Sequence, residues 1–201
     1  MSTSPHIVTA SLAPAHRARV AEILRSTENF REEEMDVALE LFDESFEGDD
    51  EEYVFVGAFR REAGDGTRET GAAGSEPRAA PLPSSRLPLP ELIGFACYGP
   101  TMATDRTFDL YWIAVDRAAQ GMGCGTVLLS EVERRLEALH ARMLVVETSS
   151  RSDYTATRGF YLRRGYVEAA RVREFYAPED DRIILTKRLA GSPRQGWGAV
   201  A

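Results

Sequence analysis

Hydrophobic residues follow two different spacings along this chain, and the spacing predicts which segments are helices and which are strands. In the first half, helical spacing runs from about Pro14 to Ser26 and from about Glu32 to Phe46. Short runs of β-branched and aromatic residues predict strands at Ile7–Val8, at Tyr53–Phe59 and from Leu92 onward. We expect the strand that resumes at Leu92 to pair with the one that ends near Phe59.

The second half alternates strands and helices in a regular order. The pattern predicts strand 108–115, helix 123–139, strand 143–148, helix 154–164, strand 166–172 and strand 183–186. A strand–helix–strand order favours a partly parallel sheet with helices on both faces.

One segment between these halves differs in composition. Residues 61–90 are rich in Gly, Ala, Pro, Ser and Arg and contain almost no large apolar side chain. Such a segment buries too little surface to offset the entropy of ordering it. A chain of 201 residues has the length of one domain. We therefore predict a single α/β domain over 1–189, a mobile loop at 61–90 and a flexible tail at 190–201.

The charge distribution is uneven. The formal net charge is -8, but twelve acidic residues and no Lys or Arg lie between Glu32 and Glu52. The rest of the chain then has 20 acidic and 24 basic residues, a balance of +4, which suits an anionic ligand. An acidic total argues against general nucleic-acid binding, which needs Lys and Arg to neutralise phosphates.

Cysteine content and hydropathy bear on the compartment. Cys97 and Cys124 show no metal-ligand spacing, so we expect two reduced thiols and no metal site. No apolar run reaches the roughly 18 residues of a membrane helix, and Met1–Ala10 lacks the basic start and apolar stretch of a signal peptide. These features predict a cytoplasmic protein that does not enter a membrane.

A glycine-rich turn lies between the strand at 108–115 and the helix that follows it. Glycines at 121, 123 and 125 leave backbone N–H groups bare at the start of an amphipathic helix. Bare N–H groups and the helix dipole together form a site for a phosphate or pyrophosphate. A turn that only begins a helix is the alternative.

Two nucleotide-binding motifs have to be weighed against this turn. Glu147 follows Gly125 by 22 residues, as the acid of a dinucleotide fold would. However, Thr126 occupies the position of the third glycine, and too few residues follow for the second half of that fold. No GxxxxGK[ST] motif occurs, which argues against a nucleoside triphosphatase.

The turn belongs to a pair of motifs. Gln120, Gly123 and Gly125 complete the pattern [QR]-x-x-G-x-[GA], and Phe160–Tyr166 completes FY-x-x-x-G-[FY] after the next strand and helix. With both motifs in this order, the chain resembles the GNAT acetyltransferases, over roughly residues 5–189 and strongly from 92 onward. The resemblance implies a mixed, twisted sheet of six to seven strands with about four helices on both faces.

The resemblance also implies a co-substrate, acetyl-CoA, and a role for each motif. Main-chain groups of Ile113, Ala114 and Val115 would pair with the pantetheine arm, and Tyr161 would donate a proton to the departing thiolate. Many members carry Asn where this chain has Tyr154, so Thr157 and Arg158 are expected to replace part of its contacts. The pyrophosphate would lie on the N–H groups of the turn, formed by Gln120, Gly121, Met122, Gly123, Cys124, Gly125 and Thr126.

Acetyl transfer to an amine also needs a base, because an ordinary primary amine has a pKa of about 10. Asp109 is the first candidate, since it corresponds to the carboxylate position of the histone-acetylating members, and Glu147 is the second. Either acid alternatively orients the ammonium group, and Tyr161 is alternatively a core aromatic. A backbone N–H near Ile113 or Ala114 would polarise the thioester carbonyl.

The acceptor is the least determined part of the prediction. The resemblance implies that a loop before the last strand, with Glu174, Tyr176, Asp180 and Asp181, forms part of the acceptor pocket. A small-molecule amine is the leading hypothesis, a protein or peptide amine the second, and a non-catalytic acyl-CoA sensor the third. A homodimer is possible on the resemblance alone.

Overall fold

The computed structural model describes residues 6–47, 52–61 and 90–190. Four α-helices and seven strands form in this part of the chain, with short 3-10 turns before α1, α3 and α4. The helices are α1 (Arg17–Thr27), α2 (Glu32–Glu44), α3 (Cys124–Ala138) and α4 (Thr155–Leu162). The strands are β1 (His6–Ser11), β2 (Val54–Arg61), β3 (Glu91–Pro100), β4 (Thr107–Val115), β5 (Met143–Ser149), β6 (Val167–Ala177) and β7 (Asp180–Arg188).

All seven strands lie in one sheet with the order β1-β2-β3-β4-β5-β7-β6. The predicted pairing of β2 with β3 is confirmed, with Gly57 opposite Phe95. β4 and β5 are parallel, and each of the other neighbouring pairs is antiparallel. The structure thus confirms the predicted mixed α/β sheet.

Two hydrophobic cores cover the two faces of this sheet. α1 and α2 pack on one face, where Ile23 and Phe42 are buried against Phe95. α3 and α4 pack on the other face, where Leu128 and Tyr161 are buried. Alternate residues of a strand point to opposite faces, so the central strands contribute to both cores and read as nearly continuous apolar runs.

The hairpin of β6 and β7 differs from its prediction. Glu174 and Tyr176 lie on β6, and Asp180 and Asp181 lie on β7, so none of the four is in a loop. Ala177 is opposite Asp180, which leaves only a tight turn between the strands. β6 is an edge strand and is almost wholly exposed, so its polar sequence resembled that of a loop.

Two predicted segments lie almost entirely outside the residues that the structure describes. The predicted mobile loop lies outside the described residues except for Arg61 and Pro90, as does the predicted tail except for Ala190. Within the described ranges, no helix has the length and apolarity needed to cross a membrane.

Candidate active site

The candidate site lies where β4 and β5 separate. The two parallel strands pair from Thr107–Leu110 to Met143–Val146 and no further, although β4 continues to Val115 and β5 to Ser149, and both strands are fully described. Opposite β3, the register shifts so that Tyr111 has no direct partner, which bulges β4 at the point of separation. The separation opens a cleft at the carboxyl ends of both strands.

The backbone of β4 presents polar groups along this opening. The Asp116 N–H donates to the Ile93 carbonyl at 2.9 Å, so Asp116 and every second residue before it direct their polar groups toward β3. This alternation turns the N–H and C=O of Ile113 and Val115 toward the opening and those of Ala114 toward β3. The Gln120 side chain also donates to the Val115 carbonyl, at 3.4 Å.

The glycine-rich turn enters α3 with uncapped amides. Gly121 and Gly123 adopt φ of 79° and 84°, a left-handed region that favours glycine, and a Cβ added at either would meet no atom within 4 Å. Gly123 is the N-cap of α3, and among the described residues no side chain caps it. The first amides of α3 are therefore free to bind an anion, and the space beside the two glycines is open.

Asp116 holds the start of the same turn in place through two hydrogen bonds. One carboxylate oxygen accepts from the Ala118 N–H at 2.9 Å, and the other accepts from Arg19 of α1 at 2.5 Å. Cys124, the first residue of α3, is buried, and burial raises the pKa of its thiol to about 11. Cys124 therefore remains a neutral thiol near neutral pH and is a packing residue of this turn.

Arg164 is a site residue that the sequence analysis missed. Its guanidinium donates to Thr126 Oγ1 on the first turn of α3 and to the Phe160 carbonyl at 2.8 Å, and it stacks 3.7 Å from the Phe160 ring centroid. Its Nε is buried and has no hydrogen-bond partner among the residues that the structure describes. The sequence signal for Arg164 was its position inside the second motif, since Arg is a common ligand of phosphate groups.

Tyr161 lies in the hydrophobic core on the face covered by α3, together with Leu110 and Val146. It is 2% exposed, and its ring packs edge-on against Phe160 and Tyr166, with centroid distances of 5.1 and 5.3 Å. Burial raises the pKa of its hydroxyl well above the usual value of 10.0, so the group keeps its proton at neutral pH. Tyr166 is tied in turn to Glu133, whose carboxylate accepts its hydroxyl at 3.0 Å.

Thr157 and Arg158, the residues expected to replace part of the Asn contacts, both lie on α4. The Arg158 guanidinium donates to the carbonyls of Ser149 and Arg151 at 2.7 and 2.8 Å. These bonds join Arg158 to the end of β5, and its contact with a cofactor stays a prediction. Thr157 is partly exposed on α4, and Tyr154 donates its hydroxyl to the Asn29 carbonyl at 2.9 Å.

On the face of the sheet away from α3, the separation of β4 and β5 forms a cleft of about 440 Å³. Asp109 and Glu147 both line it, as do Tyr111 and Tyr176. Thr101 donates its hydroxyl to Asp109 at 2.7 Å, whereas Glu147 forms an ion pair with Arg182. Burial, helped by the negative charge of Asp109, raises the pKa of Tyr111 to about 12.

The remaining acids of the hairpin are divided between two environments. Asp180 is buried at 7% exposure and lines the cleft, where it accepts hydrogen bonds from the Ser149 hydroxyl and the Ser150 N–H. Asp181 accepts from Arg171 at 3.0 Å and from the Glu174 N–H at 3.0 Å, outside the cleft lining. The structure thus brings Tyr176 and Asp180 to the predicted acceptor side, but not Glu174 or Asp181.

Comparison with known proteins identifies the class that this fold and site define. A family model described as the acetyltransferase (GNAT) domain matches residues 90–168. A structure from Desulfovibrio desulfuricans, assigned to the GNAT family of acetyltransferases, is 34% identical, covers 92% of this chain and 100% of its own, and superposes with a TM-score of 0.73. This chain belongs to the GNAT family of acetyltransferases.

More distant structures share the fold alone. The ribosomal-protein-S18-alanine N-acetyltransferase of Escherichia coli is 17% identical, with 96% of this chain and 99% of that one covered and a TM-score of 0.66. A Salmonella typhimurium acetyltransferase solved with its cofactor acetyl-CoA is also 17% identical, with coverages of 92% and 94% and a TM-score of 0.60. No curated protein matches the sequence.

Proposed function

We propose that this protein transfers an acetyl group from acetyl-CoA to the primary amine of a small molecule. The observation that carries the proposal is the separation of β4 from β5 beside the uncapped start of α3. It offers an open strand edge for an extended arm and a set of free amides for a pyrophosphate, side by side.

The residues present fit such a co-substrate. Gly121 and Gly123 leave open space where any Cβ would project, and the orphaned Nε of Arg164 is a donor beside the turn. In the proposed complex, the amides of Gly123 to Thr126 and the Arg164 guanidinium hold the pyrophosphate, and the Ile113 carbonyl and the Val115 N–H hold the pantetheine arm. When bound, acetyl-CoA supplies the thioester whose carbonyl carbon the amine attacks.

Three groups of the protein then act in the reaction: one accepts a proton, one stabilises a developing negative charge and one donates a proton. Asp109 accepts the proton of the ammonium form, directly or through a water. It is suited to this role because it lines the cleft and accepts a hydrogen bond from the neutral hydroxyl of Thr101. The N–H of Ile113 stabilises the negative charge that develops on the carbonyl oxygen. Tyr161 keeps its proton until the thiolate departs and then donates it. The attacking nitrogen loses its second proton to solvent as the intermediate collapses, and Tyr161 regains a proton from solvent.

A small acceptor is favoured by the walls of the cleft. The α1–α2 turn forms one side and the β6–β7 hairpin another, and both contribute lining residues, among them Phe30 and Tyr176. The bond from Tyr154 to Asn29 links the α1–α2 turn to the start of α4. A volume of about 440 Å³ is in the usual range for small-molecule sites.

The direct test is a calorimetric titration with acetyl-CoA, with CoA and NADH as comparisons, followed by thiol-release assays on a panel of amines and N-terminal peptides. We expect saturable binding of acetyl-CoA, no binding of NADH, and faster turnover with a small amine than with any peptide. Absence of acetyl-CoA binding would refute the proposal, and preference for a peptide would replace it with the protein-amine alternative.

A further inference from the structure

The acceptor cleft carries nearly balanced charge. Three guanidinium groups and four carboxylates line it. A cleft adapted to a polycationic amine would present a clear excess of carboxylates, since each ammonium group needs a counter-charge. The guanidiniums belong to Arg31, Arg151 and Arg182, and the carboxylates to Glu34, Asp109, Glu147 and Asp180.

Most of these carboxylates are already engaged. Glu34 accepts from the backbone N–H of Arg31 at 2.8 Å and from its guanidinium at 3.4 Å, and Glu147 is paired with Arg182. Asp180 accepts hydrogen bonds from Ser149 and Ser150 at the end of β5. Among the described residues, Asp109 is the one carboxylate of the lining with neither an Arg or Lys partner nor a backbone amide, so an ammonium group fits there best.

The arginines, in contrast, keep unused donors. A guanidinium has five N–H donors and no acceptor. One terminal nitrogen of Arg182 donates to Glu147, and the guanidinium carbon lies 4.8 Å from the Phe175 ring centroid. The Nε of Arg182 is buried and has no partner in the described part of the chain. Because Arg182 lines the cleft and keeps unused N–H donors, its guanidinium can bind an anionic group there.

We infer that the acceptor is an amphoteric amine, one that carries a carboxylate or a similar anionic group near its amino group. Its amine lies toward Asp109 and its anionic group toward Arg182. α-Amino acids and their close analogues have this chemistry, whereas polyamines and aminoglycosides do not. The inference rests on the proposed function and names the substrate class of the same site.

The test uses two conjugates that occupy both halves of the site at once. In one, CoA is joined through an acetyl linker to the amine of alanine; in the other, alaninamide replaces alanine. We expect the carboxylate conjugate to bind at least about tenfold more tightly by calorimetry, the range for a hydrogen bond between charged groups. In Arg182→Gln, we expect the difference to fall below about threefold.

Two matched variants separate a specific contact from general charge. Arg188→Gln removes the same charge from the same strand, roughly 20 Å away at about 3.3 Å per residue, and should keep the full preference. Glu147→Gln removes the partner of Arg182 without removing Arg182 and should also keep it.

Each outcome decides between the proposals. Equal binding of the two conjugates, tighter binding of the amide or of a spermidine conjugate, or an unchanged preference in Arg182→Gln would overturn the inference. Free CoA is titrated in parallel: if CoA itself does not bind, the proposed function fails, and if CoA binds without a carboxylate preference, only the amphoteric acceptor fails.

Discussion

Tyr161 and Asp109 lie on opposite faces of the sheet, one in a hydrophobic core and the other in an open cleft. Leu110 belongs to the core beneath α3 together with Tyr161, so its neighbour Asp109 points to the other face. Tyr161 is surrounded by aromatic rings, which hold its hydroxyl in the neutral form. Asp109 lines an open cleft and accepts from a hydroxyl. The proposed proton donor and the proposed proton acceptor are thus separated by the plane of the sheet.

Tyr161→Phe removes the donor and keeps the ring packing. We expect kcat to fall about 100-fold, the range for loss of a general acid, while the Kd of acetyl-CoA stays nearly constant. The raised pKa also predicts that activity is not lost through this group as pH rises toward 10, because the hydroxyl stays protonated in the folded protein. Thiol release and calorimetry measure the two quantities. Unchanged kcat, with chemistry shown to limit the rate, would remove Tyr161 from this role.

Asp109→Asn and Glu147→Gln compare the two candidate bases. We expect the first change to lower kcat/KM about 100-fold at pH 7 and the second to lower it less than tenfold, because Glu147 is already held by Arg182. The loss in Asp109→Asn should shrink above pH 9, where more of the amine is neutral without help. The reverse order of the two losses would transfer the role to Glu147.

At the scale of elements, the decisive feature is the passage from β4 through the glycine turn into α3. Asp116 fixes the back of the turn, while the positive φ of Gly121 and Gly123 directs the chain so that the amides of α3 face outward. The geometry depends on glycine for conformation, since a Cβ at either position would meet open space. A change there therefore acts on the turn and its ligand, with little effect on the core.

Gly123→Val tests that conclusion against Gly125→Ala. Valine at φ of 84° is strained and fills the space beside the amides, so we expect loss of acetyl-CoA binding with native circular dichroism. At Gly125, an added Cβ would lie 3.5 Å from the Phe160 ring, an ordinary contact, and the family motif allows Ala there, so binding should persist. Tight CoA binding by a folded Gly123→Val protein would contradict the pyrophosphate assignment.

For the whole molecule, α3 connects the site to the rest of the sheet. Glu131, on α3, accepts from Arg134 and Arg135, each at 2.8 Å, and Arg135 reaches Ser11 of β1 at 3.3 Å. These hydrogen bonds, with the one from Arg134 contributing most, lower the pKa of Glu131 from 4.5 to about 2. The ion cluster therefore stabilises the folded state at neutral pH.

Glu131→Gln measures that contribution. The pKa of the folded state is depressed, so the stabilisation is present above about pH 4.5 and is lost as the pH falls toward 2. We expect the free energy of unfolding to drop by about 1–2 kcal/mol at pH 7 and the difference from wild type to vanish near pH 2. Urea unfolding at several pH values measures both, and Glu137→Gln, an exposed acid on the same helix, is the control. A pH-independent difference would assign the effect to packing.

Much of the fold was predictable because its signals are local. The motifs at Gln120–Gly125 and Phe160–Tyr166 specify their own turns, and apolar runs specify the inner strands. The predicted strand at 166–172 covered only the first part of β6, and its continuation to Ala177 was taken as a loop, because an exposed edge strand has little apolar pattern to identify it. The contacts of Arg158 with the end of β5 could not be predicted, because they depend on the tertiary packing of α4.

The sequence by itself determined the family motifs, the glycine conformations they require and the order of strands and helices. These properties depend on residues that are neighbours along the chain, whose steric and hydrogen-bonding demands act locally. Only the tertiary structure decided where β4 parts from β5, that Arg164 reaches the turn, and that Glu147 forms an ion pair with Arg182 while Asp109 accepts from the neutral hydroxyl of Thr101. Those contacts join segments far apart in sequence, so they depend on strand register and helix packing, which no local pattern specifies.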